Sequence, residues 1–299
     1  MSVMVHKRFL IWLLAAILAW WPALHALVRI AIADENYSYT LLVLGVSIVL
    51  LVLERWPAPL DRKPSLLLIS GLLVLLAAGV FLSFRAPFAP GSARLTLSIL
   101  LWIVFVLSAF AGIYGRNAFA QMRFPFLFSL LAVPLPARCV SAVITGLQWG
   151  SADAAYGLLR LFRVPVVRSG LEFSFSKLDI VVAEECSSIR SSTILLVTTI
   201  VLAHLVLKST PNKWIAALVA VPVGVFKNGV RIFTLSVLGE YVSVGWLDSP
   251  LHHQGGFIFL SLGLAIMIGV IALLWRMEGR RTRGTGGECV EKRPRRPSN

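Results

Sequence analysis

The sequence predicts an all-α polytopic membrane protein of about eight transmembrane helices, N-terminus and C-terminus inside, with one small extracytoplasmic β-prone hairpin near 164–182. Three observations lead there. Hydrophobic residues make up 58% of the 299 and charged residues 14%, and mean hydropathy is +0.83, outside the range of soluble globular chains. Apolar runs long enough to cross a hydrocarbon core of about 30 Å, which takes roughly 20 helical residues, recur along the chain. Lys and Arg are distributed unevenly among the segments that connect those runs.

Charge-free runs occupy 9–28, 37–53, 65–84, 95–114 and 256–275. His6-Lys7-Arg8 before the first run and Ala31-Ile32-Ala33 after it resemble a signal peptide, but the apolar core is too long for one. Three further runs are interrupted. The run 124–149 is broken by Pro134-Leu135-Pro136 and Arg138, which predicts a kinked or re-entrant helix. The run 187–207 contains Arg190 and His204, and 214–238 contains Lys227 and Arg231. With the N-terminus inside, 17 Lys and Arg fall on the inner side and eight on the outer, as the positive-inside rule requires. Between the fifth and sixth runs, Val164-Pro165-Val166-Val167, Leu171-Glu172-Phe173-Ser174-Phe175 and Ile180-Val181-Val182 are β-prone stretches around the Ser169-Gly170 turn, expected to lie on the membrane surface.

The chain thus divides into a transmembrane domain, 1–275, and a basic cytoplasmic tail, 276–299. The tail holds eight Arg and Lys against three Glu; its composition predicts disorder, and it is too short for an appended soluble domain. The net charge of +14 is therefore partly a tail effect, a signal of orientation and membrane-surface attraction. No zinc-finger spacing or interleaving of Arg with aromatics points to nucleic acid. Cys139, Cys186 and Cys289 are odd in number and far apart, which supports neither a disulfide framework nor a metal site.

A charge inside a bilayer costs at least about 2.5–3.5 kcal/mol, so intramembrane ionisable groups mark function. Cys186 opens the sixth run and Arg190 follows on the same face, about 6 Å deeper. A helix N-terminus and a guanidinium both favour the nucleophilic thiolate; the plainer reading is a buried inert cysteine with Arg190 reaching for the interface. In the seventh run Lys227, Asn228 and Arg231 share a face, and Arg231 lies about 25 Å along from Trp214, in the outer part of the membrane. His252-His253 precede the eighth run on that same side. His204 is about 27 Å along the helix from Cys186 and cannot be its base. His25, near Trp20 and Trp21, reads as an interfacial or packed histidine, and Cys139 and Cys289 as structural or incidental.

These residues resemble a family. The run Val182-Ala183-Glu184-Glu185-Cys186-Ser187-Ser188-Ile189-Arg190-Ser191 is similar to the cysteine motif of the exosortase/archaeosortase family. Asn228-Gly229-Val230-Arg231-Ile232 resembles its Asn-x-x-Arg motif, and His252-His253-Gln254-Gly255-Gly256 its His-x-x-x-Gly motif. Tyr37-Ser38, Arg123-Phe124-Pro125 and Val133-Pro134-Leu135-Pro136 extend the likeness over nearly the whole chain. Ser188 stands where Gly is usual, Tyr39-Thr40 where His-Gly is common, and Lys227 is an additional charge.

The resemblance implies a membrane cysteine protease or transpeptidase of the bacterial cytoplasmic membrane with its site on the outer side. Its partners would be exported proteins bearing a C-terminal sorting signal of the Pro-Glu-Pro type, a transmembrane helix and a basic tail. A lipid or polysaccharide amine would be an acceptor. Cys186, Arg231 and His252 would be catalytic; Arg190 and Asn228 would orient, and Glu184 would bind substrate or hold a cation in place. No metal or organic cofactor is required. A polytopic transporter using Arg190, Lys227 and Arg231 as an anion path, and a Cys-dependent lipid acyltransferase, are the other classes the residues leave open.

Overall fold

Pro22 sets the first departure from the sequence pattern. The computed structural model describes residues 2–54, 66–85, 87–182, 189–242 and 256–287, and the chain divides into two compact units, Met1–Val143 and Ile144–Asn299. In the first unit the run 9–28 is a bent pair. Helices α1 (Ser2–Ala19) and α2 (Trp21–Ala33) meet at 68° across Trp20. Proline in the first turn of α2 has no N–H to give, and its ring excludes the carbonyl one turn earlier. The fully buried Trp20 fills the bend, 5.6 Å from the Phe105 ring and over Gly79, where a Cβ would sit 2.1 Å from the indole. Helices α3 (Tyr39–Leu53), α4 (Leu66–Phe84) and α5 (Ala93–Tyr114) follow. Phe9, Phe110, Tyr114, Met122 and Phe126 form a buried cluster that joins α1 and α5 to the short α6 (Arg116–Gln121) and α7 (Arg123–Ser129).

The Pro-Leu-Pro interruption takes the form of a 90° bend between Arg123–Ala132 and α8 (Ala137–Leu161). Thr96 Oγ1 donates to the Pro134 carbonyl at 2.8 Å and the Ala137 N–H to the Gly91 carbonyl at 2.9 Å. Gly91 holds φ +65°, and a Cβ there would lie 2.6 Å from that of Ala137, so only glycine fits. At its far end α8 departs from expectation, running to Leu161 where the apolar run stops at 149. Polar residues such as Gln148, Ser151 and Asp153 stay in helical register because a helix satisfies its own backbone whatever the side chains do. It closes with Val164 N–H donating to the Leu159 carbonyl at 2.9 Å and Arg163 at φ +57°.

In the second unit the β-prone stretch is an antiparallel three-stranded meander, one strand more than a hairpin: β1 (Val167–Ser169), β2 (Glu172–Ser174) and β3 (Asp179–Val181). The register aligns Arg168, Phe173 and Ile180 on one face. Phe173 is fully buried against Ala152, Ala155 and Leu159 of α8, and Arg168 pairs with Asp153 at 2.7 Å. Helices α9 (Ile189–Val206), α10 (Thr210–Tyr241) and α11 (Gly256–Gly287) pack through Leu195, Ala220 and Met267, then through Ala203, Leu207, Ala216, Ile271 and Leu274. Helix α11 continues past the boundary at 275 through Gly287, and 288–299 lie outside the described residues.

Each of the eight expected runs contains a helix or a bent pair. Among the described residues four helices are long and apolar enough to cross a membrane, or six if each bent pair is one span; Leu68–Phe84 and Arg190–Val206 are shorter apolar helices.

Candidate active site

Helical periodicity puts Lys227, Asn228 and Arg231 on one face of α10, and that face is turned into the second unit. Lys227 and Asn228 are each 1% exposed and Arg231 9%. Burial this deep is costly for ionic side chains and requires partners. Lys227 Nζ donates to Ser191 Oγ, 2.5 Å away in the first turn of α9. Asn228 Nδ2 donates to Ser151 Oγ of α8 at 3.1 Å.

Glycines let the helices approach closely enough for these bonds. A Cβ on Gly229 would be 2.5 Å from that of Ala154 and 3.1 Å from the Ala155 nitrogen. One on Gly263 of α11 would lie 3.2 Å from Lys227 Cδ. The lysine stem therefore lies against α11 while its ammonium reaches α9.

The sheet is fixed to the same helix further along. Glu240 accepts from the Lys177 N–H at 3.0 Å, and Lys177 Nζ donates to the Glu240 carbonyl at 3.2 Å. Val182, the residue after β3, is buried beside Phe173 and Ile232, and its carbonyl accepts from Gln148 Nε2 at 3.1 Å. The described residues flanking 183–188 thus meet α10 at two levels, Val182 in the cluster with Ile232 and Ser191 at Lys227. Arg231 lies between those levels.

Helix α11 runs antiparallel to α10. At one end Glu278 accepts from the N–H groups of Lys208 and Ser209, both at 3.0 Å, and from Asn212 Nδ2 at 2.9 Å. Gly263 then meets Lys227, so the start of α11 at Gly256 lies about 10 Å further along, and Arg231 about 6 Å further along. The first residue of α11 is thus about 4 Å beyond the backbone of Arg231 along the helix axis.

Of the residues singled out from the sequence, Asn228 and Arg231 come together, with Lys227, in this buried polar face. Arg190 is the second residue of α9 and is exposed. Cys186, Glu184, His252 and His253 lie outside the described residues. Ser151, Ser191, Gln148 and the Lys177–Glu240 pair were not expected. The one signal for them is Gln148-x-x-Ser151, polar positions one helical turn apart. Cys139 is an exposed free thiol and His204 is in the last turn of α9. Among the described residues no three His, Cys, Asp or Glu side chains gather as metal ligands.

Compared with known proteins, residues 20–269 match the family model described as transmembrane exosortase. No curated protein and no solved structure matches the chain.

Proposed function

Since the chain belongs to the transmembrane exosortase family and is a multi-pass membrane protein, we propose that it is a cysteine peptidase or transpeptidase that processes C-terminal sorting signals of exported proteins. The observation that carries this reading is the buried Arg231, set between the two levels at which the flanks of 183–188 meet α10. Cys186 is four residues from Val182 and three from Ile189, so the chain keeps its Cα within about 14 Å of the one and about 11 Å of the other. His252 is four residues before Gly256, where α11 begins at a level near Arg231.

In this reading the Cys186 thiolate attacks the scissile carbonyl carbon, and the tetrahedral intermediate collapses to a thioester as the C–N bond breaks. His252 takes the thiol proton and returns it to the leaving amine. Arg231 faces the oxyanion as charge develops on the carbonyl oxygen; its burial strengthens that interaction because little water screens it. Asn228 and Arg190 orient, and Glu184 binds substrate or holds a cation in place. The chemistry draws on no metal or organic cofactor.

The substrates are exported proteins with a sorting signal of the Pro-Glu-Pro type, a transmembrane helix and a basic tail. The enzyme sits in the bacterial cytoplasmic membrane with its site on the outer side. A substrate held by its own helix meets the enzyme in two dimensions, with its cleavage site at the interface. An amine on a lipid or polysaccharide, or water, then releases the acyl group.

The test is mass spectrometry of Cys186 after trapping in cells that express a tagged substrate. A peptide thioester on Cys186 is the expected adduct. A fatty acyl adduct would instead mark a lipid acyltransferase, and transport that persists in Cys186→Ala would mark a transporter.

A further inference from the structure

We propose that a cleft in the first unit, between α2 and the segment that follows α4, binds the phosphate headgroup of a membrane lipid. The cleft has a volume of about 650 Å³, within the range of small-molecule sites. One wall is a helical stripe in which His25, Ala26, Arg29 and Ala33 recur at spacings of one turn. The two alanines leave room, and the two basic side chains line the space one turn apart. Phe84 and Phe88 are on the opposite wall. That wall is braced: Arg94 stacks over the Phe88 ring at 4.5 Å and donates to the Pro87 carbonyl at 2.5 Å.

Charge decides what the cleft takes. Among the described residues neither Arg29 nor His25 has an ion pair or a side-chain hydrogen bond. The carboxylate that lines the cleft, Asp34, is engaged at the end of α2, where its Oδ1 accepts from the Asn36 N–H at 2.9 Å. The guanidinium of Arg29 presents a planar fork that matches two phosphate oxygens, and an anion held there would also face His25.

The flanks decide that the anion carries hydrocarbon. Val28 and Ile32 beside the stripe are 42% and 76% exposed, and Phe81 and Phe84 on α4 are 56% and 63% exposed. All four are apolar: Val28 and Ile32 lie on the second half of a bent pair long and apolar enough to be one span, and Phe81 and Phe84 on a shorter apolar helix, so the mouth of the cleft is continuous with a surface that acyl chains cover. A soluble anion would leave that surface unused.

The experiment uses the full chain purified in detergent, and reads retained ligand by native mass spectrometry. Three probes separate the sources of the chemistry: dioleoylphosphatidylglycerol, dioleoylglycerol and inorganic phosphate. The expected result is one retained phosphatidylglycerol, with dioleoylglycerol and inorganic phosphate each weaker by about tenfold or more. Arg29→Gln should weaken phosphatidylglycerol by a similar factor and Arg29→Lys by less, because an ammonium keeps the charge without the fork. Arg85→Gln should change nothing, since Arg85 stacks on Phe81 at 4.3 Å and does not line the cleft. Equal retention of dioleoylglycerol would reduce the effect to lipid coating the protein surface and overturn the proposal. Inorganic phosphate binding as tightly as the lipid would overturn it in favour of a soluble anion. Undiminished lipid binding by a folded Arg29→Gln would remove the residue that defines the site; the three probes on the unaltered chain decide the question even if that variant does not fold.

Discussion

The Lys227 ammonium on α10 donates to Ser191 Oγ on α9 at 2.5 Å, one helical turn before Arg231 on the same buried face. The bond ties the first turn of α9 to the helix that carries the arginine. It thereby holds the start of α9, three residues after Cys186 in the chain, beside the helix that carries Arg231.

Lys227→Met should therefore separate stability from activity. A buried ammonium bonded to a neutral hydroxyl is costly to desolvate, so with an apolar side chain of similar length in its place thermal stability should hold or rise. Processing should fall about tenfold, equivalent to about 1.4 kcal/mol of transition-state stabilisation. Ser191→Ala, which keeps the charge, should lose less. The measurement is conversion of a tagged sorting-signal substrate in cells at matched expression, beside melting of the purified variants. Full processing in Lys227→Met would show that the bond is not needed for turnover.

Gly229→Ala should be destabilising, although alanine is the better helix former. Its Cβ would be 2.5 Å from that of Ala154, so α8 and α10 must separate, at about 1–3 kcal/mol. The separation also stretches the Asn228–Ser151 bond, so processing should decline with stability. An unchanged melting temperature would mean that α8 and α10 are not in contact there.

Arg231→Ala and Cys186→Ala should each abolish processing while the protein stays in the membrane. Arg231→Lys should fail too, because an ammonium offers point donors where a planar fork is needed. Blotting of membranes and of processed substrate gives both readings. A fully active Cys186→Ala would end the thioester mechanism.

The paired histidines should behave differently. If the two histidines form the lead-in turn of α11, their side chains point about 100° apart, and one of the two at most faces the site. His252 is four residues before Gly256, whereas the same spacing from His253 lands on Phe257. His252→Ala should be inactive and His253→Ala substantially active. The reverse result would shift the register by one residue, and activity in the double variant would remove histidine from the chemistry.

Impermeant thiol labelling of single introduced cysteines should mark 160–180 and 244–250 in intact cells, and 54–63 and 280–299 only after permeabilisation. The unequal division of Lys and Arg, 17 inner and eight outer, motivates this. External labelling of 54–63 would reverse the sidedness and dissolve the proposed site.

The sequence by itself determined where helices run, because apolar length and the positions of proline act locally. Pro134 and Pro136 foretold the break before α8, and the β-prone alternation foretold strands near 164–182. Pro22 was equally visible, but its run reads as one continuous span by hydropathy, which does not register a bend. The end of α8 at Leu161 was hidden for the converse reason: hydropathy stops at 149, while helical hydrogen bonding does not. Composition and the order of motifs were also enough to identify the family.

Tertiary structure alone decided which polar residues serve as partners. Ser191 is 36 positions from Lys227, and Ser151 is 77 from Asn228. A lone serine in an apolar run has no period or spacing that points to its partner. Lys227 and Arg231 announced themselves because a charge in a membrane helix is expensive wherever it occurs. A hydroxyl is inexpensive in many places, so its role is set only when close packing at Gly229 and Gly263 brings another helix within a few ångströms of it.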